Sequence, residues 1–205
     1  MTSVIIGDII NSRNSETPKQ WLNSLKTVLN EIGPEPKVWE IFRGDSFQVE
    51  VTDPKKALLT TLKIKAALRS AVNLDVRMAI GIGEKSYNAT KITEANGDAF
   101  VRAGELFENL KKHTLALSSP WTDVDSQMNL NIELALLTID NWTQNSAKTV
   151  QLSIAHPKAT QSDLAKMLNI SQSSVSERQK RAGFDEIMKM NQRYELLISQ
   201  KLKEI

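Results

Sequence analysis

The chain has 205 residues, of which 40% are hydrophobic and 24% charged, and its formal net charge is +2. That composition belongs to an ordinary folded protein, long enough to bury a sizeable core without covalent staples. Cysteine is absent from the sequence, which excludes disulfides, thiolate metal sites and thiol nucleophiles.

The opening MTSVIIGDII has no basic leader and reaches an acid at Asp8, and no run of eighteen apolar residues occurs, so neither a secretion signal nor a membrane span is expected. A cytoplasmic location is the corresponding expectation. Ser3–Ile10 is a β-branched run that stops at Asn11-Ser12-Arg13 and reads as a buried first strand. Thr17-Pro18 opens a helix with Trp21, Leu22, Leu25, Val28, Leu29 and Ile32 at helical spacing, ended by Gly33-Pro34. Val38–Phe42 and Phe47–Val51 are joined through Arg43-Gly44-Asp45-Ser46, a hairpin signal. Asp53-Pro54 starts a second helix reaching about Val72. Leu74–Ile82 alternates as a strand with Val76, Met78, Ile80 and Ile82 on one face. Gly97-Asp98 begins a further helix, and Leu115-Ala116-Leu117 reads as a short last strand.

The order is β-α-β-β-α-β-α-β, which predicts an α+β fold: split βαβ units of the ferredoxin-like kind in an antiparallel sheet with helices on one face. After Pro120 the character changes, with Asn129–Trp142 helical and no further strand signal. The expected organisation is a sheet domain over 1–122, a connector helix over 123–146 and an all-α domain over 147–205.

That last part contains QSDLAKMLNISQSSVSERQKRA from Gln161. A helix-turn-helix needs a small residue where its helices cross, a residue tolerant of positive φ at the turn, and an apolar residue inside the second helix. Ala165, Asn169 and Val175 meet these needs at the right intervals. Leu164, Leu168 and Ile170 support them, and Ser171 suits the N-cap of the second helix. Its outer surface is expected to present Ser171, Gln172, Ser173, Ser174, Ser176, Arg178, Gln179 and Arg181 to DNA. Glutamine can read adenine, arginine can read guanine, and serine reaches bases or phosphates. Residues 158–183 carry a local net charge of +3, more basic than the whole chain. Phe184–Ile205 is amphipathic, and two uses stay open for it: a homodimer element suited to a palindromic site, or a helix folded back on its own domain. His113 and His156 lie far apart without ligand spacing and read as ordinary surface residues.

GDIINSR after the first strand, RGDSF at the hairpin, VRMAIGIGE on a later strand and GDAFVRAGEL opening a helix occur in that order. This arrangement is similar to the palm-type domain of nucleotidyl cyclases. The resemblance implies a palm-like sheet in which Asp8 and Asp45 hold Mg²⁺ or Mn²⁺ over a nucleotide triphosphate. It places Gly44, Arg43 and Arg13 beside the phosphates. Two hard cations need converging carboxylate oxygens, which is what neighbouring strands can supply. The sequence departs from the cyclase pattern at Val101 and Glu105, where a ribose-binding Asn and a charge-stabilising Arg belong. It departs again at Ile41, in place of a purine-selecting Lys, and at Ser46, in place of a second acid. Three readings stay open: nucleotide binding without turnover, a different reaction using Arg13, Arg43 or Arg102, and a structural remnant.

The VIIGDIINSR opening together with the C-terminal ISQSSVSERQKRA is similar to the SatD family, a bacterial family. The resemblance spans nearly the whole chain and implies no particular reaction. The expectation is a DNA-binding transcriptional regulator with a nucleotide- or metal-sensing domain. The alternative is a divergent nucleotidyl transferase or cyclase-type enzyme with a DNA-binding appendage.

Overall fold

The computed structural model describes residues 1–14 and 17–204. Five strands, β1 (Thr2–Ile10), β2 (Trp39–Phe42), β3 (Ser46–Val51), β4 (Asp75–Gly83) and β5 (Leu115–Ser118), form one sheet in the order β2-β3-β1-β4-β5. The central β1 runs antiparallel to both neighbours, with Ser3 opposite Val51 on one side and Ile82 on the other. The fold is α+β, and the order of elements up to β5 is the one the sequence predicts.

The sheet is mixed rather than antiparallel throughout, because β5 lies parallel to β4. The chain between them passes through α3 (Asp98–Asn109), and a helical crossover returns a strand in the same direction. That crossover also corrects the expectation that the helices share one face. Ile5, Ile9, Val49, Met78 and Ile80 pack with α1 (Pro18–Asn30) and α2 (Ala57–Val72), whereas Val4 and Ile6 pack with Ala99, Phe100 and Ala103 of α3. Strand alternation divides the side chains between two helical layers. The expected apolar face of β4, Val76, Met78, Ile80 and Ile82, is buried in the first of them. A Cβ built on Gly81 would sit 2.2 Å from the carbonyl oxygen of Ala99, so α3 lies against bare backbone there.

After β5 the chain is helical: α4 (Thr122–Ile139), α5 (Gln144–Ala155) and α8 (Phe184–Lys203) enclose two shorter helices described below. The helix expected from Asn129 begins at Thr122, because its first turn is polar and carries Asp123 and Asp125 at the positive end of the helix dipole. The segment expected to connect two domains, 123–146, comprises most of α4 and the start of α5. α4 packs on β5 and α8, and α5 packs on α2. One hydrophobic cluster therefore runs from the sheet through α2 to Met128, Ile132 and Leu136, then to Ala147 and Val150, and on to Ile187, Tyr194 and Ile198. The Tyr194 hydroxyl donates to the Pro54 carbonyl at 2.6 Å, and complete burial pushes its phenol far above the usual range, so it stays a neutral donor. Among the described residues no helix is long and apolar enough to cross a membrane.

Candidate functional site

Two regions gather the residues singled out in the sequence. The first is α6 (Gln161–Leu168) and α7 (Gln172–Arg181), joined by a three-residue turn. Thr160 and Asp163 form a reciprocal capping box at the start of α6, and the hydrogen bonds from Thr160 hold the Asp163 carboxyl below its usual range. Asn169 ends α6 at φ 52 and ψ 49, the left-handed conformation its residue type tolerates. Ile170 N–H then donates to the Ala165 carbonyl at 3.0 Å, closing the turn. Ser171 caps α7 by accepting from Ser174 N–H at 3.1 Å. Leu164, Ala165 and Val175 are buried together, with Leu152, Ala159, Leu168 and Ile170 packed around them.

The outer residues of α7 divide into two groups. Ser171, Gln172, Ser173, Ser176 and Arg181 are exposed, while Ser174, Arg178 and Gln179 are half-buried. A line of side-chain amides explains part of the division. Gln172 Nε2 donates to Gln161 Oε1 at 2.6 Å, Gln161 Nε2 to Gln179 Oε1 at 2.9 Å, and Gln179 Nε2 to Ser153 Oγ at 2.9 Å. Gln179 thus faces α5 instead of the outer surface, a difference from the expectation set by its helical position. Gln161 was not singled out in the sequence. Its partner lies eleven residues away across a turn, and only side-chain direction brings the two amides together. Arg178 and Arg181 line a polar cavity of about 380 Å³ with Thr143, Asn145, Ser146, Ser174 and Glu177. Arg181 is paired with Glu177 one turn earlier in the helix, and Arg178 has no ion-pair partner among the described residues.

The second region is the end of the sheet where β1, the β2–β3 hairpin and β4 meet. Asp8 is opposite Ser46 on one side and Arg77 on the other. Both of its carboxylate oxygens accept from the Arg77 guanidinium, at 3.2 Å from Nε and 2.8 Å from Nη2. The guanidinium also lies over the Phe107 ring of α3, 4.7 Å from its centroid. Asp45 lies beyond the start of β3, and its Oδ2 accepts from Ser12 Oγ at 2.5 Å. It lines a polar cleft of about 350 Å³ with Ile9, Asn11, Ser12 and Arg13. Neither Arg77 nor Ser12 was assigned a role from the sequence. An arginine flanked by Val76 and Met78 on a strand was the available signal for the first.

A pair of divalent ions would need free carboxylate oxygens converging on one point. Here both Asp8 oxygens are engaged by a cation and one Asp45 oxygen by a hydroxyl. Among the described residues no group of three acidic or histidine side chains is placed to hold a metal ion. The groups left uncommitted are cationic: Arg13 and Arg43 are exposed and have no ion-pair partner among the described residues.

Arg43 has φ 53 and Gly44 has φ 92, the signs that a tight hairpin turn requires. Arginine is costly in that conformation and asparagine much less so. Arg43→Asn is therefore expected to raise the free energy of unfolding by about 0.5 kcal/mol, read as a higher urea midpoint. A lower midpoint would show that the Arg43 side chain compensates its own backbone.

No curated protein and no solved structure matches the chain. The SatD family model matches residues 3–198, nearly the full length that carries both regions, and the chain belongs to the SatD family.

Proposed function

We propose that this protein is a DNA-binding transcriptional regulator in which α6 and α7 act as a helix-turn-helix and α7 is the reading helix. The observation that carries the reading is the amide pair at the two helix starts. Gln172, the first residue of α7, is exposed, and its amide is held by Gln161 through one N–H. Its second N–H and its Oε1 have no partner among the described residues and are the donor and acceptor that adenine N7 and N6–H require. Holding that amide before contact reduces the entropy lost on binding. Ser176 beside it is exposed to reach bases or phosphates, Ser173 is exposed with its hydroxyl 2.9 Å from Ser171 Oγ, and Arg178 and Arg181 supply positive charge near the start of α5.

The sheet domain in this proposal is palm-like and serves as a sensor. The antiparallel arrangement of β2, β3, β1 and β4 supports the likeness to cyclase palms. The ligand is a nucleotide or a related phosphate, received by Arg13, Arg43 and the open backbone at Gly44, where nothing lies within 4 Å of an added Cβ. The engagement of Asp8 by Arg77 weighs against the enzyme alternative, because the acid that would gather a cation is already neutralised.

The test is fluorescence anisotropy on promoter fragments from the protein's own locus, followed across salt. Gln172→Ala is expected to weaken binding to the preferred sequence by about 10- to 100-fold, with little effect on random duplex. Arg178→Ala with Arg181→Ala is expected to weaken both and to flatten the salt dependence by about two phosphate contacts. If neither variant changes affinity, α7 is not the reading helix. Titration with ATP and GTP, using Arg13→Ala with Arg43→Ala as the comparison, separately tests the sensor.

A further inference from the structure

The apolar residues of α8 that would be available to join two protomers are used within the chain. Ile187, Met190, Tyr194 and Ile198 are buried against α4, α7 and the turn before α2. The unpartnered apolar face lies on α4 instead. Leu130, Leu134 and Leu137 are 58%, 59% and 73% exposed, and their spacing of four and three residues places them on one side of the helix. Leucine side chains left in water along a seam of that length are unusual for a surface that meets nothing.

We propose that this face of α4, with the adjoining groove against α8, joins two copies of the chain about a two-fold axis passing near Leu134. Three features identify a second copy as the occupant. On the side toward α8 the residues that border the leucines, Gln127, Asn131, Thr138 and Asn141, are uncharged, and on the other side Glu133 lies 3.7 Å from His113 Nε2. Around a two-fold axis each residue meets the neighbourhood of its own copy, so an uncharged border on the groove side meets its copy there without self-repulsion. Second, a groove of about 580 Å³ runs between α4 and α8, with Leu134, Ala135, Ile187 and Met190 in its wall and Glu186 and Lys189 on the α8 side. One acid and one base a single turn apart are self-complementary: Glu186 of each protomer can face Lys189 of its partner. Third, α4 has 18 residues and α8 has 20. Two adjacent helices of that length offer a face about 27 Å by 20 Å, roughly 540 Å² on each protomer, which clears the ~1,000 Å² total of a small specific interface.

The antiparallel contact sets Leu130 and Leu137 of one protomer against Leu137 and Leu130 of the other, with Leu134 near the axis. The inference stands apart from the DNA proposal, since the α4 face does not include α7. If both hold, the dimer carries two reading helices related by the same axis, and its target is a palindrome.

Sedimentation equilibrium on the full-length protein tests it. Wild type is expected to be a dimer in the micromolar range. Leu134→Glu with Leu137→Glu is expected to weaken association by at least ~100-fold, because it sets carboxylates against one another at the axis. Both positions are exposed, so the circular dichroism spectrum and urea midpoint should stay at wild-type values. Leu196→Glu, at an exposed leucine of α8 outside the groove lining, should leave the dimer intact. A monomeric wild type overturns the proposal. So does a dimer that survives the α4 substitutions, or one that Leu196→Glu disrupts equally. DNA binding by a monomer would leave the α7 reading standing while removing this one.

Discussion

Replacing Lys65 with methionine is expected to lower the free energy of unfolding by about 3 kcal/mol, the lower end of the range for breaking a buried ion pair. Lys65 belongs to α2 and is 2% exposed. Its ammonium meets Asp75 Oδ1 at 2.8 Å, at the start of β4, and Asp140 Oδ1 at 2.9 Å, just after α4. Arg69 completes the group by donating to Asp75 Oδ2 at 2.7 Å and to the Asp140 carbonyl at 2.9 Å, and Thr114 donates to the Asp140 carboxylate. Methionine can fill the volume but leaves two carboxylates facing each other across the space of the lost charge. Arg69 still neutralises Asp75, and Asp140 is partly exposed, so the loss should not reach the upper end of that range.

The same cluster ties three parts of the fold together, because its members come from the sheet, from α2 and from the end of α4. Urea denaturation of Lys65→Met measures the stability term. A change below about 1 kcal/mol would mean that the ions contribute no more than the apolar stem of Lys65 does.

Much of the fold is legible in local chemistry. Strand alternation at Val76, Met78, Ile80 and Ile82, the proline at the start of α1 and the Arg43-Gly44 turn each act over a few residues. Each is found where the sequence places it. Ala165, Asn169 and Val175 are legible for the same reason: a close crossing, a left-handed turn and a buried centre each demand a residue type. What escapes is decided at long range. The engagement of Asp8 depends on Arg77, which is 69 residues away and adjacent only through strand register. The distribution of helices over both faces depends on a crossover between β4 and β5, and periodicity carries no information about which face a helix covers. Likewise α8 looks the same in sequence whether its apolar side meets another protomer or its own core. In the structure Tyr194 and Ile198 are buried against their own chain.

Gly81 and Gly83 end β4, and what local sequence does not show is what their missing side chains make room for. As Gly81-Ile82-Gly83 they are too short for a phosphate-binding fingerprint and look like the end of a strand. Their role lies in the second helical layer. A Cβ on Gly81 would approach the Ala99 carbonyl oxygen to 2.2 Å and the Ala103 nitrogen to 2.4 Å, and both are backbone atoms inside α3 that cannot rotate away. Gly81→Ala is therefore expected to cost about 3 kcal/mol or more, since α3 must lift from β1 and β4 as a unit. The displacement would also move Phe107 from the Arg77 guanidinium and loosen the support of Asp8 at the sheet end. Gly104 provides the opposite case within the same helix. Nothing lies within 4 Å of a Cβ built there, so Gly104→Ala should stabilise the protein by about 0.5 to 1 kcal/mol through helix propensity alone. Thermal and urea unfolding of the two variants should therefore move in opposite directions. If Gly81→Ala unfolds at the wild-type midpoint, α3 is not held against the strand by backbone contact, and the sheet-end site is not supported through that layer.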